Sequence, residues 1–524
     1  MKVIHEGRPI AFEEEATPAS VILQSEIGSV EICIDEEKVV RIRSNGVGFR
    51  LHRQQPEDGG YHADYPFIAG HNRIQVNAFR SKQQYMLSVI RGNYRIDAPW
   101  EEVTCPIFNL DFEPDGHSGT AELAIESFLS VWMERSYDRP FDDCLKFAEA
   151  SFERWMALTT KEDAGYPAVR ELAAFVQYAP IVEPAGKLGR AAMLISPGFN
   201  GIWSWDHAFN AMSLIYNQPQ MAWDQLMLPF DQQDEFGALP DYYNDTDIVW
   251  NYTKPPIHGW ALRFMLERSN AITNDQLRCF YPKLVRWTNW WFTYRDYDGN
   301  GIPQYNHGND SGWDNSLIFA NPGIVESPDL SAFLVVQMDV LAEVARRLGL
   351  MEEAEAWEHR SDRFLARMMD YFWAGDRFIA KRGGTAELID TQSLLHWIPI
   401  VLGSRLPEEL IRVMADKLGP EGPFLTEWGL ATEQPASPHY QPDGYWRGPI
   451  WAPSTFIIAE GLRAAGEREL AQEIARRFCR LCANGGMSEN YDALTGQGLR
   501  DRSHTWPASV FLIFAHEFVN MEGV

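Results

Sequence analysis

Cysteine is scarce in this sequence, with six residues scattered along 524 positions. That density is too low for a fold held together by disulfide bonds. Cys479 and Cys482 form a lone CxxC, but they lie in a helical pattern without a second pair, so we predict two buried thiols on one helix face. The 13 histidines are dispersed, and no His/Cys cluster indicates zinc.

Long apolar runs are absent as well. No stretch of about 18 apolar residues occurs, and the first residues, MKVIHEGRPIAFEEE, contain no apolar signal core. Basic residues are few, since 46 Lys and Arg against 73 Asp and Glu give a formal net charge of -27. Such a surface repels phosphate backbones and anionic lipids. We therefore expect a soluble, cytoplasmic monomer or small homo-oligomer that binds neither nucleic acid nor membranes.

Residues 1–135 show the pattern of strands. Segments such as SVILQSEIGSVEICIDEEKVVRIRS alternate apolar and polar residues at period two. Turn-forming residues separate these segments at Asn45-Gly46, Asp58-Gly59-Gly60 and Asp115-Gly116. The pattern predicts an N-terminal antiparallel β-sandwich domain.

Residues 136–524 change to a helical period. About a dozen helical stretches follow, from FDDCLKFAEASFERWMAL to WPASVFLIFAHEFVNME, with irregular loops between them. Helix hairpins with alternating short and long connectors fit a mostly α domain, an (α/α)6 barrel. Such a barrel closes a core and leaves its long loops at one end, where a site can form.

Five loops of this second part are crowded with aromatic, acidic and amide residues, and the chain has 19 Trp in all. The five are PGFNGIWSWDHAF, GALPDYYNDTDIVWNYTKPPIHGW, DYDGNGIPQYNHGNDSGWDNS, LTEWGLATEQPASPHYQPDGYWRGPIWAP and GGMSENYDALTGQG. Unpaired carboxylates are poor core material because their burial is costly. Carboxylates that accept hydroxyl hydrogen bonds, beside indoles that stack on sugar rings, are typical of a carbohydrate pocket.

Motifs in these loops resemble those of glycoside hydrolase family 63, which contains α-glucosidases and the hydrolases of mannosylglycerate and glucosylglycerate, and those of the related trehalases. They stand in the family's order: WSWDHAF (203–209), Lys254-Pro255-Pro256, SGWDNS (311–316), YWRGPIW (445–451) and SENYDALTG (488–496). One departure is Leu317-Ile318, where the family often has Pro-Arg. The resemblance covers residues 190–510 and implies an inverting hydrolase on an (α/α)6 barrel.

The resemblance implies that Asp314 is the general acid and Glu489 the general base. Inverting hydrolysis needs one protonated and one ionised carboxyl, with a water molecule between them. The indole of Trp313 is expected to desolvate Asp314 and raise its pKa, whereas the polar neighbours of Glu489 are expected to keep it ionised. Asp314 can also be read as a helix N-cap, and Asp310 as a rival acid. Glu427 and Glu433 are rival bases.

Further motif residues are predicted to bind the sugar. They are Trp203, Trp205, Asp206, His207, Asp310, Trp313, Trp428, Trp446, Arg447, Trp451 and Tyr491. The tryptophans divide between core and stacking platform, and the fork of Arg447 suits either a structural ion pair or a substrate diol or carboxylate.

The segment DYDGNG matches the first half of a calcium loop, with oxygen ligands at Asp296, Asp298 and Asn300. Its twelfth position is His307 instead of the expected Glu, so a complete EF-hand is not indicated. The resemblance implies that a distant carboxylate completes such a site, and a plain Asp/Gly turn is the alternative. We expect no required cofactor, with calcium as a possible structural ion.

Three functions fit the sequence. The first is an exo-acting hydrolase of an α-glucoside, a di- or short oligosaccharide. A variant of it cleaves glucosylglycerate or mannosylglycerate, with Arg447, Lys254 and His258 as candidates to meet the glycerate carboxylate. A non-catalytic sugar-binding protein and a sugar epimerase on the same barrel are alternatives of other classes.

Overall fold

The computed structural model describes residues 1–36, 38–53, 64–79 and 81–519. The chain forms two compact units, Met1–Met156 and Ala157–Val524. Strands give way to helices between Phe128 and Phe141, and helix α1 (Phe141–Leu158) is grouped mainly with the strands. The boundary at 135/136 stays a prediction. The turn predicted at Asp58-Gly59-Gly60 lies outside the described residues.

The first unit consists of two antiparallel sheets. Its strands are β1 (Lys2–His5), β2 (Arg8–Pro9), β3 (Glu13–Ala16), β4 (Ser20–Gln24), β5 (Ser29–Ile34), β6 (Val40–Asn45), β7 (Gly48–His52), β8 (Tyr65–Gly70), β9 (Arg73–Ala78), β10 (Gln83–Arg91), β11 (Asn93–Asp97), β12 (Asn109–Glu113) and β13 (Thr120–Phe128). The sheet orders are β11-β12-β7-β1-β2 and β3-β4-β5-β6-β13-β10-β9-β8. Alternate residues such as Val3, Phe49, Ile74 and Leu123 fill the core. Gly46 makes the predicted turn between β6 and β7 at a φ of 71°.

The second unit is helical. Its helices are α2 (Pro167–Tyr178), α3 (Ser204–Leu214), α4 (Pro219–Asp231), α5 (His258–Arg268), α6 (Asn274–Tyr294), α7 (Gly308–Ser311), α8 (Pro328–Arg347), α9 (Met351–Phe372), α10 (Glu408–Leu418), α11 (Ala452–Ala464), α12 (Arg468–Gly485) and α13 (Thr505–Phe514). Shorter segments are 3₁₀ turns at Leu317–Phe319 and Leu394–Arg405 and a π turn at Ala515–Val519.

Six of these segments close an inner ring. Helices α3, α5, α8, the segment Leu394–Arg405, α11 and α13 contact one another in that order, and α13 returns to α3. Around them α4 packs on α3, α6 and α9 on α8, α10 on Leu394–Arg405, α12 on α11, and α2 on α13. Six inner and six outer segments form the predicted (α/α)6 barrel.

Burial separates the two layers. Every residue of α3 and of α13 is buried, whereas α12 buries one face that includes Ala471, Phe478 and Cys482. Cys479 and Cys482 are free and buried, as predicted. No helix among the described residues is long and apolar enough to cross a membrane.

Short strands order the loops of the second unit. They are β14 (Ile181–Val182), β15 (Ala192–Met193), β16 (Ile202–Trp203), β17 (Tyr242–Tyr243), β18 (Ile248–Val249), β19 (Gln304–Tyr305), β20 (Val325–Glu326), β21 (Ala380–Arg382), β22 (Glu387–Ile389), β23 (Asn490–Tyr491) and β24 (Gly498–Leu499). The sheet β16-β17-β18 pairs Trp203 with Tyr242, and β23 begins directly after Glu489. These small sheets fix the loop residues that surround the site.

Candidate active site

A cavity of about 190 Å³ lies at the N-terminal ends of inner helices. Trp205 and Asp206 come from the first turn of α3, Trp451 directly precedes α11, and Trp506 belongs to the first turn of α13. The lining residues are Phe199, Trp203, Trp205, Asp206, Asp241, Tyr242, Tyr252, Lys254, Asn309, Gly312, Asp314, Tyr445, Trp446, Trp451, Glu489, His504 and Trp506.

Aromatic rings form much of the wall. Trp446 and Trp451 stack with centroids 4.1 Å apart and planes 8° apart, and Trp203 stacks on Tyr242 at 4.7 Å. Trp205 meets Trp506 edge to face, and their two indole N–H groups have no hydrogen-bond partner among the described residues. Buried indole N–H groups ordinarily find an acceptor, so this wall suits a ligand that carries hydroxyl groups.

Four carboxyl groups line the cavity: Asp241, which is paired with Lys254, and those of Asp206, Asp314 and Glu489. Burial raises the pKa of Asp314, and the nearby carboxylate of Asp241 adds to that rise. Burial also raises the pKa of Asp206 well above its usual range, with further contributions from Asp314 and Glu489. The pKa values of Asp206, Asp314 and Glu489 are thus all raised, chiefly by burial.

Glu489 differs from the expectation that polar neighbours keep it freely ionised. Its side chain is 5% exposed, and burial raises its pKa, with a smaller rise from Asp501. A hydrogen bond from Tyr445 and the charge of Arg500 oppose that rise. The backbone N–H of Glu489 donates to the carbonyl of Asp501 at 2.8 Å, which holds the residue at the cavity wall.

Tyr445 connects the two predicted catalytic carboxyls. Its hydroxyl, which can donate one hydrogen bond at a time, lowers the pKa of both Asp314 and Glu489. Its backbone is left-handed, with a φ of 63°, which is uncommon for a bulky side chain and concentrates at functional sites. The guanidinium of Arg500 lies 4.9 Å from the centre of the Tyr445 ring, and the carbonyl of Tyr445 accepts from Trp451 Nε1 at 2.9 Å.

Lys254 is the only lysine or arginine among the described residues that line the cavity. Its Nζ lies 2.9 Å from Asp241 Oδ1 and donates to the carbonyl of Asn309 at 2.8 Å. Its charge also lowers the pKa of Asp206 and Asp314. Lys254 thus links the loop before α5 to the loop that carries Asp314.

The loop of Asp314 is tightly built. A side chain at Gly308 is excluded, because its Cβ would lie 2.1 Å from the Asp314 carbonyl oxygen. Gly312 ends α7 in the left-handed conformation, with a φ of 74°. Asn315 then bonds the segment 444–447: its Oδ1 accepts from Trp446 N at 2.9 Å and its Nδ2 donates to Gly444 O at 3.0 Å.

A family model described as "Mannosylglycerate hydrolase MGH1-like glycoside hydrolase domain" matches residues 200–507, more than half of the chain. This chain belongs to that family. The matched range contains Asp206, Asp314 and Glu489, and membership makes the protein a glycoside hydrolase. The alternatives of a sugar-binding protein without catalysis and of an epimerase are thereby set aside.

Curated relatives agree with that assignment. Mannosylglycerate hydrolase MGH1 of Selaginella moellendorffii is 25% identical over 385 residues, 59% of this chain and 79% of the relative. Glucosylglycerate hydrolase of Mycolicibacterium hassiacum is 25% identical over 439 residues, 65% of this chain and 97% of the relative.

Solved structures support the fold. The GH63 mannosylglycerate hydrolase of Thermus thermophilus, solved with Tris, superposes with a TM-score of 0.58 at 20% identity, over 66% of this chain and 99% of the other. A bacterial glucoamylase, solved with acarbose, superposes with a TM-score of 0.61 at 12% identity, over 97% of this chain and 85% of the other. The resemblance to glycoside hydrolase family 63 is confirmed.

Seven predicted site residues of the hydrolase line the cavity: Trp203, Trp205, Asp206, Asp314, Trp446, Trp451 and Glu489. The other predicted substrate-binding residues do not line it. They are His207, Asp310, Trp313, Trp428, Arg447 and Tyr491.

Hydrogen bonds explain why three of the six have other roles. Asp310 accepts from Arg295 Nη1 at 2.8 Å, Asn306 N at 2.9 Å and Thr253 N at 3.0 Å, so it orders the loop. His207 is fully buried with Nδ1 2.9 Å from the Trp203 carbonyl oxygen, and Tyr491 donates to the Gly486 carbonyl at 2.7 Å.

The remaining three contact other parts of the protein outside the described cavity lining. Trp313 is buried with its ring centroid 4.7 Å from that of Trp446, and Trp428 lies beneath Arg480 and beside Gly496. Arg447 Nε donates to the Asn315 carbonyl at 2.6 Å, which favours its structural role.

The rival bases lie elsewhere. Glu427 is exposed, and Glu433 is buried and accepts from Ser437 Oγ at 2.6 Å. Neither lines the cavity.

Some lining residues were not predicted from the sequence. Asp241, Tyr242 and Tyr252 belong to a loop that was singled out for its composition, but nothing distinguished them from their neighbours. His504 and Trp506 follow the last of the five loops, at the start of an apolar helix, where the pattern resembles a core. The helix start itself was the available signal, because Trp205 and Asp206 occupy the equivalent place on α3.

In the predicted calcium loop, amide N–H groups donate hydrogen bonds to the carboxylate oxygens that were predicted to bind the ion. Asp298 Oδ1 accepts from Gln304 Nε2 at 2.9 Å, and Asn300 Nδ2 contacts both Asp298 and the buried Glu326. Asp296 Oδ2 accepts from Gly301 N at 2.9 Å. Among the described residues no group of three or more His, Cys, Asp or Glu side chains is arranged to hold a metal ion.

Proposed function

We propose that this glycoside hydrolase is an inverting, exo-acting enzyme that cleaves a small α-glucoside, with Asp314 as general acid and Glu489 as general base. One observation carries the proposal: the two carboxyls, 175 positions apart in the sequence, line one cavity together with Tyr445, whose hydroxyl lowers the pKa of both. The rival acid Asp310 and the rival bases Glu427 and Glu433 are not among the described residues that line this cavity.

Asp314 suits the acid role. Its burial and the neighbouring Asp241 carboxylate raise its pKa, so that more of it keeps a proton near neutral pH. In the proposed reaction it gives that proton to the glycosidic oxygen as the bond to the anomeric carbon breaks. Lys254 moderates the rise and keeps the acid strong enough to donate.

Glu489 suits the base role. The hydrogen bond from Tyr445 and the charge of Arg500 favour its ionised form against the cost of burial. Its carboxylate takes a proton from a water molecule, and the resulting hydroxide oxygen attacks the anomeric carbon from the face opposite the leaving group. Attack from that face inverts the configuration of the released sugar.

The cavity suits the non-reducing end of a short substrate. Its volume of about 190 Å³ and its aromatic wall favour one sugar ring at a time, and Asp206 with the free indole N–H groups supplies hydroxyl contacts. A second candidate is hydrolysis of glucosylglycerate or mannosylglycerate, which the names of the relatives favour.

The proposal also covers the cellular location, the oligomeric state and the cofactors of the enzyme. The formal net charge of -27 opposes large-scale self-association, and we propose a cytoplasmic monomer or small homo-oligomer. We propose that catalysis needs no cofactor and that calcium, if it binds at Asp296, Asp298 and Asn300, has a structural role. An unchanged melting temperature in the presence of EDTA is the outcome that contradicts calcium binding.

Substitution of each carboxyl tests the roles. Asp314→Asn and Glu489→Gln are expected to lower kcat at least about 10³-fold while substrate still binds, because each removes one half of the acid–base pair. Glu427→Gln, a change of the same kind at an exposed carboxyl, is the control and should retain full activity. Near-normal turnover in either site variant contradicts the assignment. A proton NMR time course should show the β-anomer first, and a first product of α-configuration contradicts inversion.

A further inference from the structure

The charge of the leaving group can be inferred from the cavity. The named relatives act on glycosides of glycerate, whose carboxylate is negative at neutral pH. A site built for such a group needs a positive or unpaired donor at hydrogen-bond distance. Lys254, His258 and Arg447 are the three candidates that the sequence offers for that contact.

Lys254 lines the cavity, but its positive charge is already paired with the carboxylate of Asp241. Its ammonium is 2.9 Å from Asp241 Oδ1 and donates to the Asn309 carbonyl at 2.8 Å, and its side chain is 10% exposed. A glycerate carboxylate would have to displace Asp241, a carboxylate that the loop already holds in place. Exchange of one buried anion for another gains little.

The other two candidates do not reach the cavity. His258 is buried between Phe230 and Trp287, and burial lowers its pKa to about 3, so its ring is uncharged. Arg447 is held by the Asn315 carbonyl at 2.6 Å. Neither is among the lining residues.

The total charge of the residues that line the cavity also disfavours an anionic leaving group. Asp241 and Glu489 together outweigh Lys254 even when Asp206 and Asp314 both carry protons. His504, the remaining basic residue of the described lining, is uncharged because burial lowers its pKa to about 3. An anionic leaving group bound beside Asp314 therefore meets a lining of its own sign when Glu489 is the ionised base, and like charges at close range in a buried site repel strongly.

We propose that this hydrolase acts on glycosides with an uncharged leaving group, a sugar or a polyol, and discriminates against glycerate glycosides. Asp241 sets this preference, because its carboxylate is paired with Lys254, the one lysine of the described cavity lining. The inference rests on the proposed function, because it assumes that the leaving group binds beside Asp314.

A matched pair of substrates tests the proposal. Glucosylglycerol and glucosylglycerate differ only in a hydroxymethyl group against a carboxylate at one carbon. At pH 7 we expect kcat/KM for glucosylglycerol to exceed that for glucosylglycerate at least about 100-fold, because only the second is repelled. Equal values, or a preference for glucosylglycerate, overturn the proposal.

Binding of non-hydrolysable analogues separates this inference from the proposed function. Calorimetry with the sulfur-linked forms of the same two compounds should show tighter binding of the glycerol form. If neither oxygen-linked compound is cleaved but the glycerol analogue binds more tightly, the proposed hydrolysis fails and the preference stands. If neither analogue binds, or the glycerate analogue binds as tightly, the preference is overturned.

Asp241→Asn tests the source of the preference. Loss of this carboxylate leaves Lys254 unpaired and removes one negative charge from the cavity, so the ratio of the two kcat/KM values should fall at least about tenfold. The ratio is the readout because the substitution also alters the pKa of Asp314 and with it the rate on both substrates. Asp245→Asn, in the same loop but outside the cavity lining, is the control. An unchanged ratio in Asp241→Asn overturns the role of Asp241.

Discussion

The two ends of the barrel hold their buried carboxyls in opposite ways. At the N-terminal ends of the inner helices, Asp206, Asp314 and Glu489 line a cavity whose described lining holds one lysine and no arginine, and the pKa of each is raised. At the C-terminal ends a larger cavity of about 940 Å³ contains Glu460 and Glu517. The larger cavity is not the better candidate for chemistry, and the reason lies in how its carboxyls are paired.

At the C-terminal end each buried carboxylate faces arginine. Arg268 Nε lies 2.7 Å from Glu517 Oε1, and its Nη2 lies 3.1 Å from Glu460 Oε1. Arg463 Nη2 lies 2.6 Å from the same Glu460 oxygen. The pKa of Glu517 is lowered although it is partly buried, because Arg268 and Tyr216 hydrogen-bond its carboxylate. A paired carboxylate stabilises a fold, whereas an unpaired one remains available to a substrate.

The pairing at the C-terminal end can be broken at Arg268. Arg268→Ala leaves Glu517 buried without its main partner and should lower the free energy of unfolding by about 3–5 kcal/mol, measured by urea denaturation. Turnover per folded molecule should not change. Arg263→Ala, which breaks a half-exposed pair with Glu343, should cost about 1 kcal/mol or less. Equal losses in the two variants contradict the comparison.

The N-terminal end can be tested at Tyr445. Tyr445→Phe removes the hydroxyl that lowers the pKa of both carboxyls and should lower kcat about 10- to 100-fold. Because the hydrogen bond from that hydroxyl lowers the pKa of Glu489, its loss raises this pKa, and the acidic limb of the pH–rate profile should move to higher pH. Tyr440→Phe is the control, since the Tyr440 hydroxyl has no hydrogen-bond partner among the described residues. An unmoved acidic limb in Tyr445→Phe refutes the bridging role.

A smaller effect is expected on stability at Asp206. Its raised pKa means that the folded state disfavours the ionised carboxylate, so stability falls as pH rises through the usual pKa range of aspartate. Asp206→Asn should therefore stabilise the fold by about 1 kcal/mol at pH 7, with the gain disappearing in acid, while kcat falls. Glu517 has the opposite sign: its lowered pKa contributes stability above the usual range that is lost in acid. Thermal melts of Asp206→Asn and Glu517→Gln between pH 3 and 7 check both, and parallel curves contradict the contrast.

The fold was predictable wherever apolar residues recurred at a regular spacing along the sequence. Two-residue alternation marked the strands of the first unit, and eleven barrel helices carried apolar positions at helical spacing. The segment Leu394–Arg405 was missed, because LLHWIPIVLG is apolar throughout and carries Pro399 and Gly403. Residues that are buried on all sides have no amphipathic period to detect, although this segment completes the inner ring.

The site was predictable at the level of motifs and less so at single residues. Asp314 and Glu489 were found because family motifs carry them, and the cavity lining agrees with that placement. Their neighbours in the same motifs, Trp313 and Tyr491, point into the core. A sequence gives the neighbours of a residue along the chain, but the direction of each side chain depends on turns such as the left-handed one at Gly312.

Asn315 has a consequence for attempts to change the specificity of this enzyme. Its side chain joins the loop of Asp314 to the segment of Tyr445 through hydrogen bonds with Gly444 and Trp446. These bonds hold together two stretches that are more than a hundred residues apart in the sequence. If only one of the two loops were replaced by the loop of a relative, the hydrogen-bond donors and acceptors of Asn315, Gly444 and Trp446 would no longer align. A productive graft must carry both partners, and directed evolution of this pocket should diversify the two loops together.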